Sequence, residues 1–98
     1  MSLSATKDKK ISLDRLVSKK VLNFTDIKDN HNKFYIAEIW EGNNSFCIKT
    51  DYGRVNVTGT VDYRYGSQSE CEKEFDRLIA SKIKKGYRLV EPEDIAEK

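Results

Sequence analysis

The spacing of hydrophobic and polar positions changes once along this 98-residue chain. Apolar residues alternate by twos, as in strands, in short runs up to residue 65, and then recur every three or four positions, as in a helix. The runs predict strands at 17–24, 34–41, 45–50, 60–65 and 87–91. Strands in hairpin succession followed by one helix predict an α+β fold, a mostly antiparallel β-sheet with one amphipathic helix packed across it.

The helix has clear start and stop signals. Ser67 and Glu70 form a capping-box pattern that predicts the first turn, and Gly86 is placed to be the C′ residue. The predicted apolar stripe consists of Cys71, Phe75, Leu78, Ile79 and Ile83. Lysines crowd the predicted last turn, where the helix dipole favours cations: Lys82, Lys84 and Lys85.

Glycines interrupt the stretch TDYGRVNVTGTVDYRYG at residues 50–66, which otherwise has the composition of a strand. Gly53 and Gly59 pack no side chain in such a position. A glycine there usually marks a bulge, a tight bend or a place where another group approaches the backbone.

Composition and charge limit the classes of protein. The chain has a net charge of +2 and no apolar run long enough to cross a membrane, and its lysine-containing start lacks the apolar core of a secretory signal. We therefore interpret the protein as cytoplasmic. The predicted domains are a flexible basic arm at 1–15, a folded domain at 16–91 and an acidic tail at 92–98.

The residues that bind metals or react as nucleophiles are few. Cys47 and Cys71 fit no metal-ligand spacing and His31 is the sole histidine, so no metal or cofactor is predicted and both thiols are expected to be buried as small hydrophobes. No nucleophile–base arrangement or phosphate loop is present. The carboxylates that are close in sequence, such as Glu70, Glu74 and Asp76, are predicted on polar helix faces. The sequence therefore argues against an enzyme.

Four ordered landmarks resemble one known family. They are Asn32-Lys33-Phe34-Tyr35, Tyr52-Gly53-Arg54-Val55 with Gly59, Tyr65-Gly66-Ser67, and Lys84-Lys85-Gly86-Tyr87. This pattern resembles the WGR domain of poly(ADP-ribose) polymerases and of bacterial molybdate-metabolism regulators, over about residues 17–91. The chain departs from it by having Tyr52 for the name-giving tryptophan, Asn56 for a glycine and Thr60 for a glutamine.

The resemblance implies a non-catalytic module that binds nucleic acid, DNA in preference to RNA, without sequence preference and with a preference for ends. It implies Tyr52 as the stacking ring, Arg54 as a cationic partner, and Asn32 and Lys33 as phosphate contacts. Gly53 has no side chain between Tyr52 and Arg54, which lets a backbone or ligand come close. Tyr87 is a further contact near the helix exit. A continuous basic groove that joins Lys33, Arg54 and the lysines of the helix end would favour this function.

The same residues have structural interpretations. Tyr52 could be packed with its hydroxyl satisfied by a neighbour, Arg54 could pair with Asp51 or Asp62, Asn32 could cap a turn, and Lys33 could be solvated. The alternative function is a protein–protein interaction module that uses the same face, with an acidic partner or a fused domain and no nucleic acid.

Overall fold

The computed structural model describes residues 3–26, 28, 31–55 and 57–90. Asn56, the predicted tail at 92–98 and the predicted strand end at 91 lie outside the described residues. The strands are β1 (Arg15–Asp26), β2 (His31–Gly42), β3 (Ser45–Arg54), β4 (Thr60–Gly66) and β5 (Arg88–Val90), and the helix α1 (Gln68–Lys84) lies between β4 and β5. The predicted α+β class is confirmed.

The five strands form one antiparallel sheet in the order β4-β3-β2-β1-β5. The β2–β3 hairpin turns at Asn43 and Asn44, which both have positive φ, of 52° and 60°. Two such residues make the tight hairpin turn that follows the twist of the strands. The first three strands are longer than predicted because backbone pairing continues beyond the alternating apolar runs, for example from Lys33 to Arg54.

Both predicted ends of α1 are confirmed. The Ser67 hydroxyl accepts from the Glu70 N–H while the Glu70 carboxylate accepts from the Ser67 N–H, a complete capping box. At the other end Gly86 has a φ of 108°, its N–H donates to the Ile83 carbonyl, and the Tyr87 N–H donates to the Lys82 carbonyl. This Schellman arrangement reverses the chain and fixes where Tyr87 lies.

One face of the sheet and the apolar stripe of α1 form the core. Its buried members are Leu22, Tyr35, Ala37, Ile39, Ile48, Cys71, Phe75 and Leu78. Two expectations for the helix are wrong. Ile83, predicted in the apolar stripe, is 49% exposed, because the buried face of the helix runs through Cys71, Phe75 and Leu78 and Ile83 lies to one side of it. Glu74, predicted on a polar face, is only 3% exposed, because it lies on the same helix face as Cys71 and Leu78.

The N-terminal segment predicted as a basic arm follows β4 and the turn edge of the sheet. Thr6 and Tyr63 exchange two backbone hydrogen bonds of 2.8 and 2.7 Å. The Tyr65 hydroxyl donates to the carbonyl of Asp8 at 2.6 Å and accepts from the N–H of Lys10 at 2.6 Å. The division into arm, domain and tail remains a prediction. Within the described ranges, no helix is both long and apolar enough to cross a membrane.

Candidate nucleic-acid interface

A groove of about 360 Å³ lies between the end of α1 and the rim of β1 and β2. It is lined by Phe24, Lys33, Lys82, Lys85 and Tyr87, and we call it the basic groove. The Lys33 side chain reaches it because β2 presents odd-numbered residues on the helix side, and the Schellman turn places Tyr87 opposite. The predicted contacts Lys33 and Tyr87 are therefore together, about fifty residues apart in sequence.

Aromatic rings form the floor of the basic groove and lysines lie over them. The rings of Phe24 and Tyr87 have centroids 5.5 Å apart. The Lys33 Nζ lies 5.7 Å from the centre of the Phe24 ring. The Lys82 Nζ lies 4.8 Å from the Tyr35 ring and 5.6 Å from the Tyr87 ring. Cations over ring faces are held by the ring quadrupole without a carboxylate partner.

The positive charges of the basic groove are not neutralised inside it, since no carboxylate is among its described lining residues. The pKa of Lys82 is lowered, first by burial and then by the positive charges of Lys85, Lys33 and Arg64. Cations that disfavour one another's charge favour a bound anion. The groove therefore suits a polyanion with flat apolar groups.

Neither Arg54 nor Asn32 lines the groove: Arg54 lies beside it, whereas Asn32, the even-numbered neighbour of Lys33, faces the opposite side of the sheet. Arg54 is exposed and directly opposite Lys33 across the β2–β3 pair, which extends the basic surface by one strand. No ion pair joins Arg54 to Asp51, Asp62 or another carboxylate of the described residues. Asn32 is exposed, and its side-chain oxygen accepts from Asn23 at 2.9 Å.

The Tyr52 ring is half-buried on the helix side of β3, and its hydroxyl donates to Asp62 at 2.8 Å. It packs 5.8 Å from the Tyr35 ring. Tyr52 lines a second space of about 180 Å³, which we call the inner cavity; its other lining residues are Tyr35, Thr50, Asp62, Arg64, Leu78 and Lys82. Tyr52 is thus packed and its hydroxyl has a partner, as its structural interpretation expects, while its role as the stacking ring stays a prediction. Lys82 lines both spaces and joins them.

The two glycines of the motif region approach each other. Gly53 has a φ of 154°, and a Cβ on it would lie 3.3 Å from the Gly59 Cα. A Cβ on Gly59 would lie 2.6 Å from the Asp51 carboxylate and 2.9 Å from the Phe34 ring. The group that comes close to the Gly53 backbone is thus the chain's own β3–β4 connection. These glycines close the loop over Phe34.

Both cysteines are fully buried and free, as predicted. Burial raises the pKa of each thiol to about 11, so both stay protonated at neutral pH. In the part of the chain that the structure describes, no three His, Cys, Asp or Glu side chains are grouped to hold a metal ion.

Sequence reasoning did not identify Phe24, and treated the lysines of the helix end mainly as partners of the helix dipole. The available signal was the Lys82–Lys85 spacing, which puts both side chains on one helix face. Phe24 carried no signal, because its place in the groove follows from the pairing of β1 with β2.

Comparisons with known proteins identify the family of the chain. The family model described as WGR domain matches residues 18–94. The chain is also similar to "Uncharacterized protein 101L" of Invertebrate iridescent virus 6, with 35% identity over 69 residues, 70% of this chain and 26% of that protein. The chain thus spans about a quarter of this relative. No solved structure matches this chain significantly.

Proposed function

This chain belongs to the WGR domain family, a family of nucleic-acid-binding modules, and we propose that it binds DNA through the basic groove without reading base sequence. One observation carries the proposal: three lysines, Lys33, Lys82 and Lys85, converge on a groove floored by two aromatic rings. Lysines bind phosphates of any sequence, and rings stack on any base.

In the proposed complex, the lysines move onto consecutive phosphates, and the half-buried rings of Phe24 and Tyr87 contact a base or sugar with the surface that the lysines release. Arg54, opposite Lys33 at the rim, holds the flanking phosphate, and Asn32, on the other face of the sheet, is not part of this contact. Tyr52 and Gly53 act from below: Tyr52 packs against the Tyr35 ring, over which Lys82 lies, and Gly53 fixes the loop that follows Arg54.

A preference for ends follows from the same rings. Inside a duplex both faces of every base are stacked, whereas the terminal pair has one open face. An aromatic side chain gains roughly 1–3 kcal/mol from such a face. We propose that the module favours DNA ends over continuous duplex, and that its role is binding without catalysis.

The dependence of affinity on salt tests the proposal. Three neutralised phosphates on duplex DNA give a slope of log K against log[salt] of about −2.7, so affinity falls about 40-fold between 50 and 200 mM salt. Lys85→Gln should make the slope shallower by about 0.9. The matched control is Lys73→Gln, which removes an exposed helix lysine that does not line the groove. An unchanged slope in Lys85→Gln places the phosphates elsewhere.

Competition experiments separate the finer parts of the proposal. Blunt duplex should displace labelled DNA better than the same duplex closed at both ends by hairpins, and better than RNA of the same sequence. Equal displacement by open and closed duplex excludes the preference for ends. No DNA binding at micromolar protein and 50 mM salt rejects the proposed function and leaves the protein-interaction alternative. Capture of a defined protein partner that survives nuclease treatment and requires Arg54 would support that alternative.

A further inference from the structure

The inner cavity contains polar atoms that the fold leaves without partners. Thr50 is fully buried, at 0% exposure, and its Oγ1 has no hydrogen-bond partner among the described residues. The buried Arg64 Nε likewise has none. Buried polar atoms are nearly always hydrogen-bonded, so two unpaired groups lining one cavity point to a molecule that completes them.

The charge of Arg64 is only partly compensated by the protein. Its Nε lies 3.6 Å from the Glu74 carboxylate, which is an ion-pair distance and too long for a hydrogen bond. That carboxylate is held instead by Arg77, in two hydrogen bonds of 2.9 and 2.6 Å. Glu74 is thus engaged with Arg77, and the Arg64 Nε–H remains available to a group in the inner cavity.

Asp62, the carboxylate among the described residues that line the inner cavity, is also engaged. Asp62 accepts from the Lys7 Nζ at 2.6 Å and from the Tyr52 hydroxyl at 2.8 Å, so both its oxygens are in use. Lys82 lies at the boundary with the basic groove, over the Tyr35 ring, and has no carboxylate partner among the described residues. Among the described lining residues, the Thr50 hydroxyl and the cations Arg64 and Lys82 are therefore available to a ligand.

We propose that the inner cavity binds a free tetrahedral oxyanion of the phosphate class, held by Thr50, Arg64 and Lys82. The volume of about 180 Å³ is roughly six times the 30 Å³ share of one liquid water, enough for such an anion and accompanying water. The Thr50 hydroxyl and Arg64 Nε–H donate from the sheet and Lys82 supplies charge from the helix. This inference does not depend on nucleic-acid binding in the basic groove.

Titration with inorganic phosphate tests the site in the whole chain, with sodium chloride of equal ionic strength as reference. Phosphate should shift the Arg64 Nε–Hε resonance and the Thr50 amide saturably and raise the melting temperature. Thr50→Val keeps the side-chain shape and removes the hydroxyl. Because it replaces an unpaired polar group, this variant should melt no lower than the parent without phosphate and bind phosphate at least tenfold more weakly. Thr58→Val, at an exposed position, is the matched control and should bind as the parent does.

Three results overturn the inference. Linear, unsaturated shifts up to tens of millimolar phosphate mean that the cavity holds water only. Equal phosphate affinity in Thr50→Val means that the anion sits in the basic groove. A Thr50→Val protein that melts well below the parent means that the hydroxyl has a partner within the protein. A protein that fails to bind DNA would leave the interpretation of these three phosphate results unchanged.

Discussion

Replacing Tyr52 by phenylalanine isolates the contribution of one hydroxyl to the fold. The ring and its packing against Tyr35 remain, while the 2.8 Å hydrogen bond to Asp62 is removed. Asp62 is largely buried, at 9% exposure, and keeps the 2.6 Å contact from Lys7. The Asp62 carboxylate therefore loses one of its two hydrogen bonds and keeps the one from Lys7.

The expected cost at pH 7 is about 1–2 kcal/mol. A hydrogen bond to a charged group contributes roughly 1.5–3 kcal/mol when buried, and the half-exposed Tyr52 and the remaining lysine reduce that value. For a domain of this size, with a urea m-value of about 1–1.5 kcal/mol/M, the midpoint should fall by about 1 M.

The cost should also depend on pH. Burial by itself raises the pKa of Asp62, but the hydrogen bonds from Lys7 and Tyr52 outweigh it and hold the pKa below its ordinary value. A carboxyl whose pKa is depressed in the folded state stabilises the protein above its unfolded pKa and loses that contribution as pH falls through the folded pKa. The difference between parent and Tyr52→Phe should therefore be constant above about pH 5 and shrink below about pH 4.

Urea unfolding at pH 7 and at pH 3 measures both quantities, with Tyr63→Phe as the control. Tyr63 is half-buried on the other face of the sheet, and no hydrogen bond of its hydroxyl is among the described contacts. Its substitution should change stability by a few tenths of a kcal/mol. If Tyr52→Phe matches Tyr63→Phe at pH 7, or costs the same at both pH values, then Asp62 does not depend on Tyr52.

Three further substitutions test the core and the helix. Phe75→Ala should destabilise by roughly 3–5 kcal/mol in urea unfolding, since Phe75 is 4% exposed in the core; a cost under 1 kcal/mol would contradict its place there. Gly86→Ala should cost roughly 1–3 kcal/mol, because φ is 108° and a Cβ would lie 3.1 Å from the Phe24 ring; an unchanged melting temperature would show that the turn adapts. Glu74→Gln should lower the free energy of unfolding by roughly 1–3 kcal/mol at pH 7, because Glu74 accepts two hydrogen bonds from Arg77. Those hydrogen bonds are the first cause of the lowered pKa of Glu74, so the loss of stability should become smaller below about pH 4. A loss that does not change with pH would refute this reasoning.

The sequence predicted the fold because its signals were local. Period-two runs, a capping box at Ser67 and a glycine at position 86 each act within a few residues of where they occur. The exact strand lengths needed more than local signals. Asn32 and Lys33 pair with β1, and Lys33 also pairs with Arg54 of β3. This pairing extends β2 into a stretch that the sequence predicts as a polar turn.

The burial of charged side chains between sheet and helix was not predictable from periodicity. Alternation in β4 placed Asp62 and Arg64 on one side and three apolar residues on the other, and the apolar side is the usual candidate for the core. The structure turns Asp62 and Arg64 toward the helix, where Glu74 lies next to Arg64. The Asp62 charge is tolerable there because Lys7, from a distant part of the chain, pairs with it.

The replacement of tryptophan by Tyr52 bears on where a ligand can stack. The Tyr52 hydroxyl donates to Asp62, which also accepts from Lys7. The half-buried ring is thereby linked to the N-terminal segment. A ring held there has only part of its surface to offer. Phe24 and Tyr87 are half-buried as well, but they line the groove on which Lys33, Lys82 and Lys85 converge. Because stacking and phosphate contact must act on the same stretch of a ligand, we infer that the principal contact lies at the helix exit and that the motif supports it from beneath.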